Sequence, residues 1–327
     1  MRLFGQDAAV SAFRDALDSG KLHHAWLLGG PKGIGKALFA DMAARRVLAQ
    51  AAAPHGLGDG LSVPDSHPTA QLIAAGSHPD LRRLQRLPRD RKPDELARNI
   101  SVNQVRGIQS LFATTPSMSD WRSVVIDAID DLERSAANAL LKNLEEPPAK
   151  CVFLLVCHSP GRILPTIRSR CRMLKFSRLS DDAMTSAIAQ AEPQLDEEER
   201  AALVKIGNGA PGQALQYAGL DIAGLDATIR SLIAKGDAGN NARAAIAQSL
   251  ALKKAQPRYE AFLERAPAAI ASYARQQEGR ALEQAVSAWE EARSLAGGAQ
   301  RLSLDPQTTV FTLAGLLASL HEPRHDA

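Results

Sequence analysis

Short apolar runs alternate with helical patterns through the first half of the chain. The runs HAWLLGG (24–30), SVVIDAI (123–129) and CVFLLVC (151–157) predict buried strands, and RMLKFSRL (172–179) predicts a further short strand. Strands that alternate with helices are typical of βαβ units. The pattern therefore predicts an α/β domain built on a largely parallel sheet.

Two segments between these runs have the spacing and composition of helices. GKALFADMAARRVLAQAAA (35–53) follows the first strand, and DLERSAANALLKNLEE (131–146) is stopped by Pro147 and Pro148. Residues 51–77 are rich in Ala, Gly, Pro, Ser and His, which predicts a loop or surface insertion.

From Ser180 onward the hydrophobic pattern predicts helices and no strand. The segment 180–191 opens with a capping serine and an acidic first turn. Asp305 is the expected N-cap of a late helix, with Pro306 at its first position. We predict three domains: an α/β domain over 1–178, a small helical domain over 179–222 and a larger helical domain over 223–327.

Composition and charge restrict the classes of protein only modestly. The 327 residues are 45% hydrophobic and 23% charged, with a net charge of +3 and a pI near 8.8, which permits a nucleic-acid partner without demanding one. No secretory signal or membrane-spanning run is recognisable. We expect a cytoplasmic protein with no membrane partner.

Cysteine and histidine give no sign of a metal site. Cys151, Cys157 and Cys171 lack CxxC spacing, so we expect buried thiols in a reducing compartment and no structural zinc. Three histidines before residue 80 have no paired spacing, and we expect them to be solvated loop residues: His55, His67 and His78.

A glycine-rich loop follows the first predicted strand and opens the first long helix. Its pattern is Gly30-x4-Gly35-Lys36, with a further glycine at Gly33. Glycines let backbone N–H groups approach phosphate, and the lysine would reach the outer phosphates of a nucleotide. Ala37 occupies the position where a Ser or Thr hydroxyl normally ligates magnesium. The loop predicts a nucleotide site with a poorly held metal.

The second half of such a site is an acidic residue at a strand end. Asp127 ends the run SVVID and is suited to hold a metal through its shell, but Ala128 follows where hydrolysing enzymes place a Glu base. Asp130 and Asp131 lie beyond the strand, where we expect them to cap the following helix. Weak nucleotide binding is compatible with these residues, and turnover by the chain's own site is not expected.

Two longer stretches carry a family resemblance. SAANALLKNLEEPP (135–148) and FLLVCHSPGRILPTIRSRC (153–171) resemble the clamp-loader branch of the AAA+ ATPases, and the likeness extends over residues 1 to about 215. It implies a P-loop domain with a parallel sheet, a helical lid domain and an all-helical collar domain for oligomerisation.

The resemblance also implies residue roles. Ser169, Arg170 and Cys171 match the family's Ser-Arg-Cys motif, in which the arginine is a finger that reaches ATP on a neighbouring subunit. The alternative is a solvated arginine beside a core cysteine. Where active relatives carry a γ-phosphate sensor this chain has Cys157 and His158, and where they carry a sensor arginine it has Gly212.

The implied function is that of a non-hydrolysing clamp-loader subunit. It requires no cofactor and binds ATP weakly or not at all. Its implied partners are the gamma/tau and delta subunits of DNA polymerase III and, through the assembled complex, the β sliding clamp and primed DNA. Any polymerase activity would belong to another subunit of that holoenzyme.

Two other functions are compatible with parts of the sequence. One is an active AAA+ motor ATPase of the clamp-loader type, in which Asp130 or a water compensates for the losses. The other is a DNA-binding repair factor, but the basic stretch 82–92 is interrupted by Pro88 and Asp90 and is expected to be solvated surface. Residues 51–80 hold no cysteine, so the four-cysteine zinc module of many relatives is absent or metal-free.

Overall fold

The computed structural model describes residues 2–89, 92–113, 115–299 and 302–321. The chain divides into two compact units. The first unit is Met1–Gln190 with Gly207–Gln213, and the second is Ala191–Ile206 with Ala214–Ala327. The predicted division at residues 178 and 222 stays a prediction.

The described part of the first unit contains a five-stranded parallel sheet and a two-stranded antiparallel hairpin. The strands are β1 Ala25–Gly29, β2 Leu81–Gln85, β3 Pro88–Arg89, β4 Lys92–Leu96, β5 Arg122–Asp127, β6 Cys151–Cys157 and β7 Arg172–Lys175. The sheet order is β2-β5-β6-β1-β7, and β3 pairs with β4. The four strands that the apolar runs predict are confirmed, and they are four of the five strands in the sheet.

The helices alternate with these strands and then continue alone. In chain order they are α1 Asp7–Asp18, α2 Lys36–Ala52, α3 Pro68–Ala74, α4 Val102–Arg106, α5 Ile108–Phe112, α6 Arg134–Glu145, α7 Pro165–Arg168, α8 Asp181–Ala191, α9 Glu197–Gly207, α10 Pro211–Ala214, α11 Ile222–Lys235, α12 Asn241–Leu250, α13 Gln256–Ala274, α14 Gly279–Ala299 and α15 Pro306–Ala318. Within the described residues no strand follows Ser180, as the pattern predicts.

Apolar side chains pack on both faces of the sheet. Because successive side chains of a strand point to opposite faces, neighbouring residues of β1 belong to different clusters. Leu27 of β1 joins an apolar cluster with Phe153 of β6. The neighbouring Trp26 packs against Phe13 of α1, whose ring also meets Phe39 of α2 edge to face. The result is a layered α/β unit, which agrees with the predicted fold class.

The second unit has a helical core of its own. Buried side chains from α11 to α15 form one apolar cluster, including Ile229, Phe262 and Leu313. The Asp305 carboxylate accepts the Thr308 N–H at 2.7 Å and so caps α15, as predicted. None of the described helices is both long and apolar enough to cross a membrane.

The expectations for residues 51–92 need correction. Residues 51–77 are not all loop, because α2 runs to Ala52 and α3 lies within the segment. The described part of the basic stretch 82–92 is mostly exposed, as expected, but it includes most of β2 and all of β3, which the pattern does not predict. Asp90 and Arg91 lie outside the described residues.

The histidine prediction is correct for one residue of three. His55 is exposed, but His67 caps α3 by accepting the Thr69 N–H on Nδ1 at 3.2 Å. His78 is buried and accepts the Asp80 N–H. Cys151 and Cys157 are buried, as expected, and Cys171 is half-buried.

Candidate functional site

The glycine-rich loop joins β1 to α2 at the carboxyl edge of the sheet, where ligands bind in parallel α/β folds. Gly35 has φ +98° at the N-cap of α2, a conformation that favours glycine. A Cβ on Gly30 would overlap the Phe176 carbonyl oxygen. Gln6, which sequence reasoning missed, donates from its buried amide to the Ile34 carbonyl within the loop and to Ser177 O.

Lys36 folds back onto this loop. Its side chain is only 3% exposed, and Nζ donates to the carbonyl oxygens of Gly30 (2.6 Å) and Pro31. Burial lowers the pKa of Lys36 to about 8, although the acidic groups of Cys157, Asp130 and Asp127 partly offset that effect. The ammonium group is therefore hydrogen-bonded to carbonyl oxygens of its own loop.

Alanine occupies the two positions at which the sequence predicts the loss of a metal ligand and of a base. Ala37 lies in the first turn of α2, and Ala128 is 2% exposed immediately after Asp127, the last residue of β5. A methyl group supplies neither a metal ligand nor a base. Because Ala128 is buried, a carboxylate at this position would also have to be accommodated in the core.

Asp130 does not cap the following helix, which corrects the expectation for it. Its carboxylate accepts the backbone N–H groups of His158 (2.6 Å) and Ser159 (2.9 Å) and lies 4.0 Å from the Cys157 sulfur. Both oxygens are thus engaged in holding the turn after β6. A carboxylate used in this way is poorly placed to deprotonate a water.

Asp131 is not a helix cap either. It forms an ion pair with Arg86 at 3.2 Å. The N-cap of α6 is Glu133, whose side chain accepts no capping hydrogen bond. Sequence reasoning failed here because the partners of both aspartates lie far away along the chain.

His158 stands where active relatives would carry a phosphate sensor. Within the described residues its Nδ1 is buried and has no hydrogen-bond partner. Burial and the positive charge of Lys36 have the largest effects and lower the pKa of His158, while Asp130 and Asp127 partly offset them and Lys32 adds a small further lowering. The surroundings of the ring therefore favour its neutral form.

The loop is also covered by the first residues of the short helix α10. The Gly212 N–H donates to the Gly33 carbonyl at 2.8 Å. A Cβ on Gly212 would lie 3.1 Å from the Cα and the carbonyl oxygen of Gly33. A Cβ at this distance from backbone atoms would be crowded, so glycine at position 212 favours the close packing of the two backbones.

The predicted partner motif lies in the turn between α7 and β7. Arg170 Nη1 donates to the Thr166 carbonyl (2.7 Å), and Nη2 pairs with Glu145 Oε1 (2.8 Å). The arginine side chain is 34% exposed. Sequence reasoning missed Glu145, although it lies in the LEEPP stretch that carries the resemblance.

The flanking residues fix the backbone of this turn. Ser169 Oγ donates to Thr166 O at 3.1 Å. Burial raises the pKa of the Cys171 thiol to about 12, so Cys171 is an uncharged core contact. The described contacts of Arg170 are made with α7 and α6, and none of them involves the glycine-rich loop.

Comparison with known proteins gives a consistent set of relatives. A family model described as DNA polymerase III, delta subunit, matches residues 5–180. The chain is 35% identical over 188 residues to DNA polymerase III subunit delta' of Pseudomonas aeruginosa, covering 58% of this chain and 53% of that protein. It is 30% identical over 219 residues to DNA polymerase III subunit gamma of Buchnera aphidicola, covering 65% and 56% respectively.

The chain spans about half the length of these curated relatives. A solved structure of a DNA polymerase III gamma subunit-related protein from Thermotoga maritima aligns with 95% of this chain and 99% of its own, at 14% identity and a TM-score of 0.42.

Proposed function

The chain belongs to the DNA polymerase III delta subunit family, and on that premise we propose that it is the delta-prime subunit of a bacterial clamp loader. In this role it hydrolyses no ATP itself. It assembles with gamma/tau and delta subunits, and the complex loads the β sliding clamp onto primed DNA. Its helical C-terminal part contributes to the oligomeric collar.

One observation gives the main support for a chain that does not hydrolyse ATP: the carboxylate of Asp130 is hydrogen-bonded to the backbone of its own chain. Ala37 and Ala128 remove the metal ligand and the base, and Asp130 was the residue best placed to compensate. Both of its oxygens accept backbone N–H groups instead. Loss of a general base alone removes a contribution of about 10²–10⁴-fold.

The contribution of Arg170 to a neighbour is the other part of the proposal. A permanently charged guanidinium, one-third exposed on a turn fixed by buried neighbours, is suited to reach a phosphate from outside. Fingers supplied in trans contribute about 10³–10⁵ in rate. The nucleotide would be ATP held by an adjacent gamma/tau subunit.

The test is ATP turnover and clamp loading in a loader reconstituted with Arg170→Ala. We expect turnover to be lost at the one ATP site that Arg170 serves, with a clear fall in clamp loading. Arg168→Ala is the matched control, because Arg168 is an exposed arginine two residues away. Equal rates for wild type and Arg170→Ala would refute the finger role.

An active ATPase is the second candidate, favoured by the intact glycine loop and Lys36. It predicts turnover by the isolated chain that disappears in Lys36→Ala. We expect instead that the isolated wild type and Lys36→Ala hydrolyse ATP at the same background rate. ATPase measurement on the two purified chains separates the two functions.

A further inference from the structure

Glu145 occupies an electrostatically unfavourable position. It is the last residue of α6, where exposed carbonyl groups give the helix end a partial negative charge. Pro147 and Pro148 prevent the helix from continuing past it. An acidic side chain does not stabilise this helix end, so any stabilising effect of Glu145 comes from its other contacts.

That contact is the proposed finger itself. Glu145 Oε1 lies 2.8 Å from Arg170 Nη2, and the carboxylate side chain is 46% exposed. The other terminal nitrogen, Nη1, donates to the Thr166 carbonyl four residues earlier. Both terminal nitrogens of the guanidinium are therefore held by atoms of the same chain.

The backbone beneath the guanidinium is firmly placed. Ile167 is buried, Cys171 is half-buried, and the Arg170 N–H donates to Ile167 O at 3.1 Å. A change of partner at Arg170 thus requires only movement of its side chain. Five N–H donors on a guanidinium also leave room for a further anion beside the two contacts described.

The ion pair between Arg170 and Glu145 is weak enough for Arg170 to change its partner readily. Pairs between exposed charges shift an equilibrium by less than about fivefold. A nucleotide phosphate carries more negative charge than a carboxylate and offers bidentate geometry to arginine. The carboxylate can hold the guanidinium in the free subunit and still be displaced by a triphosphate.

Resting on the finger role proposed above, we propose that Glu145 is a positioning residue for Arg170. It holds the guanidinium on the chain's own surface until a phosphate of the nucleotide on the neighbouring subunit takes its place. The exchange replaces one anionic partner by another, so Arg170 is never an unpaired cation at the subunit surface.

The test uses the complete reconstituted loader with Glu145→Gln, which keeps the size and removes the charge. Because a competing partner is weakened, we expect the ATP concentration for half-maximal turnover to fall by about two- to fivefold, with the maximal rate unchanged. Glu146→Gln is the matched control: Glu146 is the adjacent exposed carboxylate and has no described contact with Arg170. It should leave both quantities unchanged.

The double variant Glu145→Gln with Arg170→Ala should match Arg170→Ala alone, because Glu145 acts through Arg170. A higher half-maximal ATP concentration, a lower maximal rate, or equal behaviour of the two Gln variants would overturn the inference while the finger role stands. If Arg170→Ala has no effect, the finger role fails and this inference fails with it. Urea unfolding of the Glu145→Gln chain should give the wild-type midpoint, which excludes loss of fold as the cause.

Discussion

The Gly212 N–H and the Gly33 carbonyl oxygen are joined by a 2.8 Å hydrogen bond, so the glycine-rich loop and the start of α10 meet backbone to backbone. A Cβ on Gly33 would lie 2.8 Å from the Gln213 nitrogen. The contact therefore depends on glycine in both segments. A larger side chain at position 212 would crowd the Gly33 backbone.

Gly33→Ala is expected to destabilise the protein through this contact. Gly33 has φ +81° and a crowded Cβ position, whereas Gly56 has φ +73° and nothing within 4 Å. Gly56→Ala therefore measures the backbone cost alone, about 1 kcal/mol. Gly33→Ala should cost at least about 1 kcal/mol more because of overlap. Equal urea-unfolding free energies for the two variants would show that the packing contributes nothing.

Asp130→Asn is expected to reduce stability and leave nucleotide turnover at background. An amide can accept one of the two backbone N–H groups and faces the other with its own donor, a loss of about 1–3 kcal/mol. Asp131→Asn is the control, since its ion pair with Arg86 is partly exposed and worth less than about 1 kcal/mol. Chemical denaturation and an ATPase assay on both variants provide the measurement. A fall in turnover at unchanged stability would instead identify Asp130 as a base.

Three of the four strands that the sequence predicts, β1, β5 and β6, are buried along almost their whole length. The fourth, β7, is an edge strand in which only Leu174 is buried. All seven residues of β6 are buried, so an uninterrupted apolar run marks it. The edge strand β2 is not predicted, because only Leu84 among its five residues is buried and no apolar run marks it. Its strand character comes from pairing with β5, which a local pattern cannot reveal.

The residues of the candidate site likewise fall into those that a local pattern predicts and those that it does not. Gly30, Gly35 and Lys36 lie close together in sequence, and the motif predicts their loop correctly. The partners of Asp130 lie 28 and 29 residues away, and Glu145 meets Arg170 across 25 positions. Local rules assign such carboxylates to the nearest helix end, and only the tertiary structure identifies their partners.

Ala37→Thr is expected to restore metal-dependent nucleotide binding without turnover. The hydroxyl would supply the missing magnesium ligand, while Ala128 still provides no base. We expect Mg²⁺ to tighten ATP binding by up to about tenfold, or about 1.4 kcal/mol. Ala37→Val has the same shape without the oxygen and should show no such effect. Calorimetric titration with and without Mg²⁺ tests this, and turnover above background in Ala37→Thr would contradict it.

Lys36→Met should change how stability depends on pH. Burial lowers the pKa of Lys36 from 10.5 to about 8, so between these values the unfolded chain binds more protons at this residue than the folded chain. The contribution of Lys36 to the free energy of unfolding therefore increases as pH rises between these two pKa values. Well below pH 8 the lysine is charged in both states, and the full cost of burying that charge is present. Methionine does not titrate. Relative to Lys36→Met, the wild type should gain on the order of 2 kcal/mol between pH 7 and pH 10, measured by urea unfolding. The same difference between the two proteins at both pH values would mean that the folded-state pKa of Lys36 is not depressed.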